Sequence, residues 1–242
     1  MRRLILSLLL TTLPAPLCAA PPPVIAKAIA DPARPKDDVA ADPVRLPAET
    51  IAFAGVKPGM TVGEFYPGSG YFTRLLSDVV GPKGHVFAME NDKWAEAPNT
   101  AVLRAYGAHN VTVDVAPLGT VRFAKPLDIA WVTQNYHDLK IAKYGVVDIA
   151  AFNRAVFAAL KPGGVFMVID HEAPAGMAVD DIAKMHRIQK AQVIREVEAA
   201  GFKLANEGTF LRHPGDDHSL SIFDKAIRGK TDQYALKFVK PK

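Results

Sequence analysis

From Thr61 onward the chain alternates short β-rich runs with stretches of helical periodicity. That order leaves few folds open, because strands separated by helices pair in parallel and the helices cover both faces of the sheet. Thr61 to Phe65 reads as the first strand. After the turn Pro67-Gly68-Ser69-Gly70, the residues Phe72, Leu75, Leu76, Val79 and Val80 fall at helical spacing, and Gly81 ends that helix. Further strands are expected at His85 to Met89, Val111 to Val113, Ile129 to Val132, Val165 to Ile169, Phe202 to Leu204 and Tyr234 to Val239. Helices are expected over Ile149 to Leu160, stopped by Lys161-Pro162-Gly163-Gly164, and over Ile182 to Ala200, capped by Gly201. The expectation is an α/β domain with a seven-stranded, Rossmann-like sheet.

A chain of 242 residues with 49% apolar and 22% charged residues can bury one such core and is short for two. The domain is therefore placed at 49 to 242. Residues 1 to 20 read as a signal peptide, with Arg2 and Arg3 ahead of the apolar run Leu4 to Leu13 and small residues at Cys18-Ala19-Ala20. The apolar run is too short to span a bilayer, so the expected destination is the periplasm, with no stable membrane span after processing. Residues 21 to 48 carry seven prolines (21, 22, 23, 32, 35, 43 and 47), a composition that favours an extended arm. Loss of Arg2 and Arg3 lowers the net charge from +4 to +2, and loss of Cys18 removes the single cysteine. The processed chain then has no disulfide and no cysteine chemistry. No concentrated Lys/Arg run marks a nucleic-acid surface, and no nucleic-acid partner is expected.

The glycine-rich turn between the first strand and its helix lies where open α/β sheets bind ligands, and a helix N-terminus there offers free N–H groups. Thr73 stands where a dinucleotide fingerprint needs a small residue, which argues against a nicotinamide oxidoreductase. Glu90, twenty positions beyond Gly70, closes the second strand. A carboxylate there can accept both hydroxyls of a ribose.

Glu64 to Gly70, the run Gly81-Pro82-Lys83-Gly84-His85-Val86-Phe87-Ala88-Met89-Glu90, and Leu160-Lys161-Pro162-Gly163-Gly164 together resemble the ordered motifs of class I S-adenosylmethionine (SAM)-dependent methyltransferases. Asn135-Tyr136-His137-Asp138 and the segment from Phe223-Asp224 to Arg228-Gly229-Lys230-Thr231 are similar to a group of exported predicted methyltransferases. The resemblance covers residues 40 to 242. It implies SAM as cofactor, a last strand that runs antiparallel, and a cofactor site drawn from Glu64 (methionine amino group), Tyr66, Gly68, Ser69, Gly70 and Glu90 (ribose), with Asp114 facing adenine. Tyr66 stands where the family has the loop's first glycine, so its side chain is expected to reshape or obstruct the methionine end.

Methyl transfer is an in-line displacement, so the protein aligns the nucleophile and, where needed, removes its proton. Candidates stand at strand carboxyl ends: Asn135, Tyr136 and His137 after the fourth strand, His171 after the fifth. His137 and His171 are the expected general bases, because imidazole titrates near neutral pH. Tyr136 and Asn135 would orient substrate or cofactor. His137, Asp138, Asp170 and His171 are of metal-binding type, yet no ligand spacing marks a metal and none is expected. The segment Arg212 to Lys230 is a candidate lid that selects an anionic substrate, with a solvated loop as the alternative. Trp94 and Trp131 read as packing residues. The expected function is transfer of a methyl group to a small molecule or an envelope component; the alternative is a non-catalytic exported binding protein that keeps the fold.

Overall fold

A computed structural model describes residues 20–242. The expected signal peptide lies, but for its last residue, outside the described residues. Seven strands form one sheet: β1 (Thr61–Phe65), β2 (His85–Asn91), β3 (Val111–Ala116), β4 (Leu127–Thr133), β5 (Leu160–His171), β6 (Lys203–Gly208) and β7 (Gln233–Val239). Their order is β3-β2-β1-β4-β5-β7-β6. The pairs from β3 through β5 are all parallel, and β7 runs antiparallel to both β5 and β6. Chain order reverses between β1 and β4, which opens a crevice at their carboxyl ends.

The period of two in the strands sorts the core onto two faces. Val62, Ile129, Trp131, Met167, Ile169 and Ala235 face one hydrophobic cluster. Phe65, Ala130, Val132, Phe166, Val168 and Leu236 face the other. The first cluster is covered by α1 (Pro23–Ile29), α3 (Pro47–Ala54) and α4 (Tyr71–Val80). The second is covered by α6 (Ile149–Ala159) and α8 (Lys190–Glu198). Between α4 and α6 lies α5 (Pro98–Ala105).

Two sequence expectations are corrected. Residues 21–48 are not an extended arm: α1 and α2 (Lys36–Arg45) occupy most of them. Proline is compatible with this because Pro23 and Pro47 each stand at a helix start, where no N–H is needed, Pro35 stands just ahead of α2, and Pro43 falls in the last turn of α2. Ile25 and Ala28 are buried in the core, and Asp38 of α2 binds Arg74 of α4 through two bonds of 2.7 and 2.9 Å, with both side chains over nine-tenths buried. Removing one partner of such a pair leaves an uncompensated charge. Arg74 keeps a 2.8 Å bond to the Ser69 carbonyl, which softens the loss. Asp38→Ala is expected to lower unfolding stability by about 2 kcal/mol. Urea unfolding of the full chain checks this, and a change below about 0.5 kcal/mol, the ordinary surface scatter, would show that the pair does not anchor α2.

The helix expected over 182 to 200 is broken. A short α7 (Ile182–Met185) stops at His186, whose φ of 51 lies in the left-handed region, and α8 starts only at Lys190. Between them Ile188 bridges Glu172, and the fully buried Arg187 binds Asp216 at 2.8 Å. A long-range ion pair and a strand-like bridge override the local helical preference.

Candidate active site

A cavity of about 440 Å³ opens at the carboxyl ends of β1, β2, β4 and β5, within the roughly 300–1,000 Å³ that small-molecule sites occupy. The loop after β1 makes one wall. Tyr66 has φ 56 and Gly68 φ 58, so the backbone turns through the left-handed region twice within three residues. Glycine adopts that region freely, whereas a bulky side chain costs on the order of 1–3 kcal/mol there. Tyr66 offsets this through burial and because its hydroxyl accepts the Gly119 N–H at 2.9 Å. Its ring stands edge-on to Trp94, 6.3 Å between centroids. The phenol thus becomes part of the cavity wall, and the loop beyond it stays open: a Cβ placed on Gly68 would meet nothing within 4 Å.

Glu90 joins this loop to the second strand. Its Oε2 accepts the Gly68 N–H at 3.1 Å and its Oε1 the Asn91 N–H at 2.8 Å. Burial pushes the Glu90 carboxyl up to about 7 despite those two N–H groups. Glu64, also buried, accepts the Thr73 hydroxyl at 2.6 Å, and desolvation lifts it to about 7 as well. Opposite Glu64, Arg45 of α2 faces the cavity with its guanidinium 4.6 Å over the Tyr71 ring. No ion pair or side-chain hydrogen bond engages that guanidinium among the described residues.

The other wall comes from β4 and β5. Gln134 takes φ 62 at the end of β4, and the chain then folds into a 3-10 turn, His137–Lys140. Asp170, fully buried at the end of β5, accepts the His137 N–H at 2.8 Å, His137 Nδ1 at 2.7 Å and the His171 N–H at 2.7 Å. Since a carboxylate only accepts, Nδ1 of His137 carries the proton. His137 Nε2 lies 3.1 Å from His186 Nδ1 and 3.3 Å from Asp138 Oδ1.

Of the residues expected at the site, Glu64, Tyr66, Gly68, Ser69, Glu90, Asn135, His137 and His171 line this cavity. Gly70 stands behind the loop as the residue ahead of α4, where a Cβ would come within 2.8 Å of Leu103. Asp114 lies outside it, paired with Arg122 at 2.8 Å beside a separate surface hollow. Tyr136 points the opposite way: fully buried, its hydroxyl meets Glu196 at 3.2 Å and Asn153 at 2.8 Å. Tyr136 is therefore a packing residue, out of reach of a ligand in the cavity.

Neither histidine titrates near neutrality. Burial disfavours the His137 cation, but Asp170 and Asp138 outweigh it and lift the ring to about 10. Burial holds His171 neutral, down to about 3, with its Nδ1 2.9 Å from the Thr231 hydroxyl. One is held protonated and the other is a very weak base, so the expectation that either serves as a general base tuned to working pH is not met by these surroundings.

The segment from 212 to 230 reaches the cavity through Ile222 and Phe223 instead of through its charges. Asp216 is bound to Arg187, and Arg212 and His218 are bound to Asp232. Trp131 is buried core, whereas Trp94 lines the cavity. Arg45 and His186 carried no local signal. The first sat in a proline-rich stretch, the second inside an unbroken helical periodicity.

The fold is that of class I SAM-dependent methyltransferases. A SAM-dependent methyltransferase from Aquifex aeolicus superposes with a TM-score of 0.56 at 19% identity, over 85% of this chain and 97% of that one. An arsenic(III) S-adenosylmethionine methyltransferase from Chlamydomonas reinhardtii gives 0.59 at 17% identity, over 92% and 75%. At these identities the likeness establishes the fold. By sequence, the ubiquinone/menaquinone biosynthesis C-methyltransferase UbiE of Ectopseudomonas mendocina is 27% identical over 129 residues, which is 52% of this chain and 47% of that protein. The chain spans about half the length of the curated relatives it matches. No family model matches it.

Proposed function

We propose that the protein is a SAM-dependent methyltransferase acting on a small molecule or an envelope component, and that it works after export. The observation that carries this reading is the 3.1 Å bond between the Glu90 carboxylate and the Gly68 N–H. It brings the glycine loop and the acidic end of β2, separate in sequence, onto one cavity. The residues fit the cofactor's three parts. Glu90 is placed to accept ribose hydroxyls, Gly68 lets the ligand approach the backbone, and Glu64 with the unpaired Arg45 offers one anion and one cation to an amino acid.

SAM would supply a sulfonium methyl, electrophilic enough for direct displacement. The chain's own contribution is alignment and exclusion of water. Trp94, Tyr144 and Phe223 form an aromatic rim over which an acceptor with an apolar or flat portion would enter, and the polar wall of Asn135 and His171 would orient it. The likeness to UbiE, a C-methyltransferase by name, supports methyl transfer without fixing the atom methylated.

Titration calorimetry of the full chain with SAM and S-adenosylhomocysteine tests the reading. Saturable binding of both is expected, and Glu90→Ala is expected to weaken it about tenfold or more, the worth of one charge-assisted hydrogen bond. No binding of either ligand would favour the non-catalytic alternative, and unchanged affinity in Glu90→Ala would remove the ribose role.

A further inference from the structure

Three donor atoms on the cavity wall are turned on one another with nothing between them. His137 Nε2 and His186 Nδ1 are 3.1 Å apart, and Asp138 Oδ1 lies 3.3 Å from the first and 3.5 Å from the second. Two of the three side chains have their other polar contacts elsewhere. His137 Nδ1 donates to Asp170, and Asp138 Oδ2 accepts the Asn135 amide at 2.8 Å. What remains is Asp138 Oδ1, in a side chain 7% exposed, which accepts no hydrogen bond among the described residues. Binding of a metal ion at Nε2 displaces the proton that the His137 ring carries there, and with Nδ1 still donating to Asp170 the freed lone pair faces a second nitrogen and a carboxylate oxygen. A proton or a metal ion is the positive charge that lets the three groups stand this close.

The triangle has the dimensions of a coordination face. Ligand atoms bonded to one ion at about 2.0–2.2 Å lie about 2.8–3.1 Å apart in octahedral and about 3.3–3.6 Å apart in tetrahedral geometry. Two imidazoles and one carboxylate form a donor set for zinc-class divalent ions, not for calcium or magnesium. The surroundings are those of a built site. The Asp170 carboxylate behind His137 fixes the ring and its tautomer, as partners behind metal-bound histidines do. His186 is held at φ 51, a strained backbone for a non-glycine residue, and this strain brings its ring to the other two. Its outer side packs edge-on against Phe223, 4.8 Å between centroids.

We propose that His137 Nε2, His186 Nδ1 and Asp138 Oδ1 bind one divalent transition-metal ion of the zinc class, with its remaining coordination positions open to the cavity. The metal would meet an oxygen or sulfur donor of a bound small molecule on the wall opposite Glu90 and Gly68. The metal site stands on its own geometry; only its meeting a methyl acceptor rests on the methyltransferase reading.

The test is titration of the chelator-treated full chain with Co²⁺, read by visible absorption, and with Zn²⁺, read by calorimetry. One ion per chain is expected, and His186→Gly, which suits the left-handed backbone, and Asp138→Asn are each expected to weaken binding at least about tenfold. His213→Ala, which alters a histidine outside the cluster, should leave affinity unchanged. Circular dichroism reports folding of each variant, and Asp138→Asn carries the test should His186→Gly misfold. Absence of saturable one-to-one binding, or equal affinity in the wild type and a folded His186→Gly or Asp138→Asn chain, would overturn the site. A parallel SAM titration separates the two ideas: metal binding with these properties supports the site whether or not SAM binds.

Discussion

Asp170→Ala is expected to be among the most damaging single substitutions in this chain, with a loss of about 3–5 kcal/mol in unfolding free energy. The carboxylate is fully buried and answers three donors at once: the His137 amide, the His137 ring and the His171 amide. Truncation would strand all three without water, and it would remove the anion that holds the His137 ring charged. For a domain of this size the loss corresponds to a fall in melting temperature of about 10 °C. Asp170→Asn retains an acceptor for two of the donors but turns its amide toward the third, so an intermediate loss of about 2 kcal/mol is expected. Chemical denaturation of the three proteins in parallel checks the order. A loss under about 1 kcal/mol for Asp170→Ala would mean that the turn after β4 is held by its own hydrogen bonds and not from β5.

That turn also shows what the sequence made legible. The seven strands, the glycine loop and the partnership of Gly68 with Glu90 follow from short-range signals: alternation, turn chemistry and a fixed offset along one strand-helix-strand unit. The antiparallel last strand was an implication of the family resemblance. The failures share a cause, which is dependence on long-range contact. Asp138 and Tyr136 are near neighbours, yet one lines the cavity and the other packs against Asn153 and Glu196, because Gln134 and the 3-10 turn reset the direction of successive side chains. Asp114 lies within β3, two residues short of its end, and pairs with Arg122 outside the cavity. Arg45 belonged to a stretch whose prolines suggested extension, whereas those at positions 23 and 47 start helices instead. His186 enters the site only because the Arg187–Asp216 pair and the Ile188 bridge break an otherwise regular helical pattern.

SAM affinity is expected to rise steeply between pH 6 and pH 8, by about a hundredfold. The proposed ligand needs both Glu64 and Glu90 ionised, one toward an ammonium and one toward ribose hydroxyls, and in the free protein burial lifts both to about 7. At pH 6 a group of that pKa is about nine-tenths protonated, so each carboxyl weakens binding about tenfold relative to pH 8. The same shifts act on the unliganded fold with the opposite sign. A carboxyl whose folded pKa is raised adds stability that is present below its ordinary value near 4.5 and is lost as pH climbs through about 7. Over pH 5 to 7 the free protein should therefore lose melting temperature as pH rises while the SAM-saturated protein loses less. Calorimetry in two buffers of different ionisation enthalpy should also register proton release on binding near pH 6.5. Glu90→Gln, which keeps the shape and cannot titrate, should bind more weakly and with a shallower pH slope. A wild-type affinity flat across pH 6 to 8 would mean that these carboxylates do not meet the ligand, and with that the assignment of the cavity to SAM would fall.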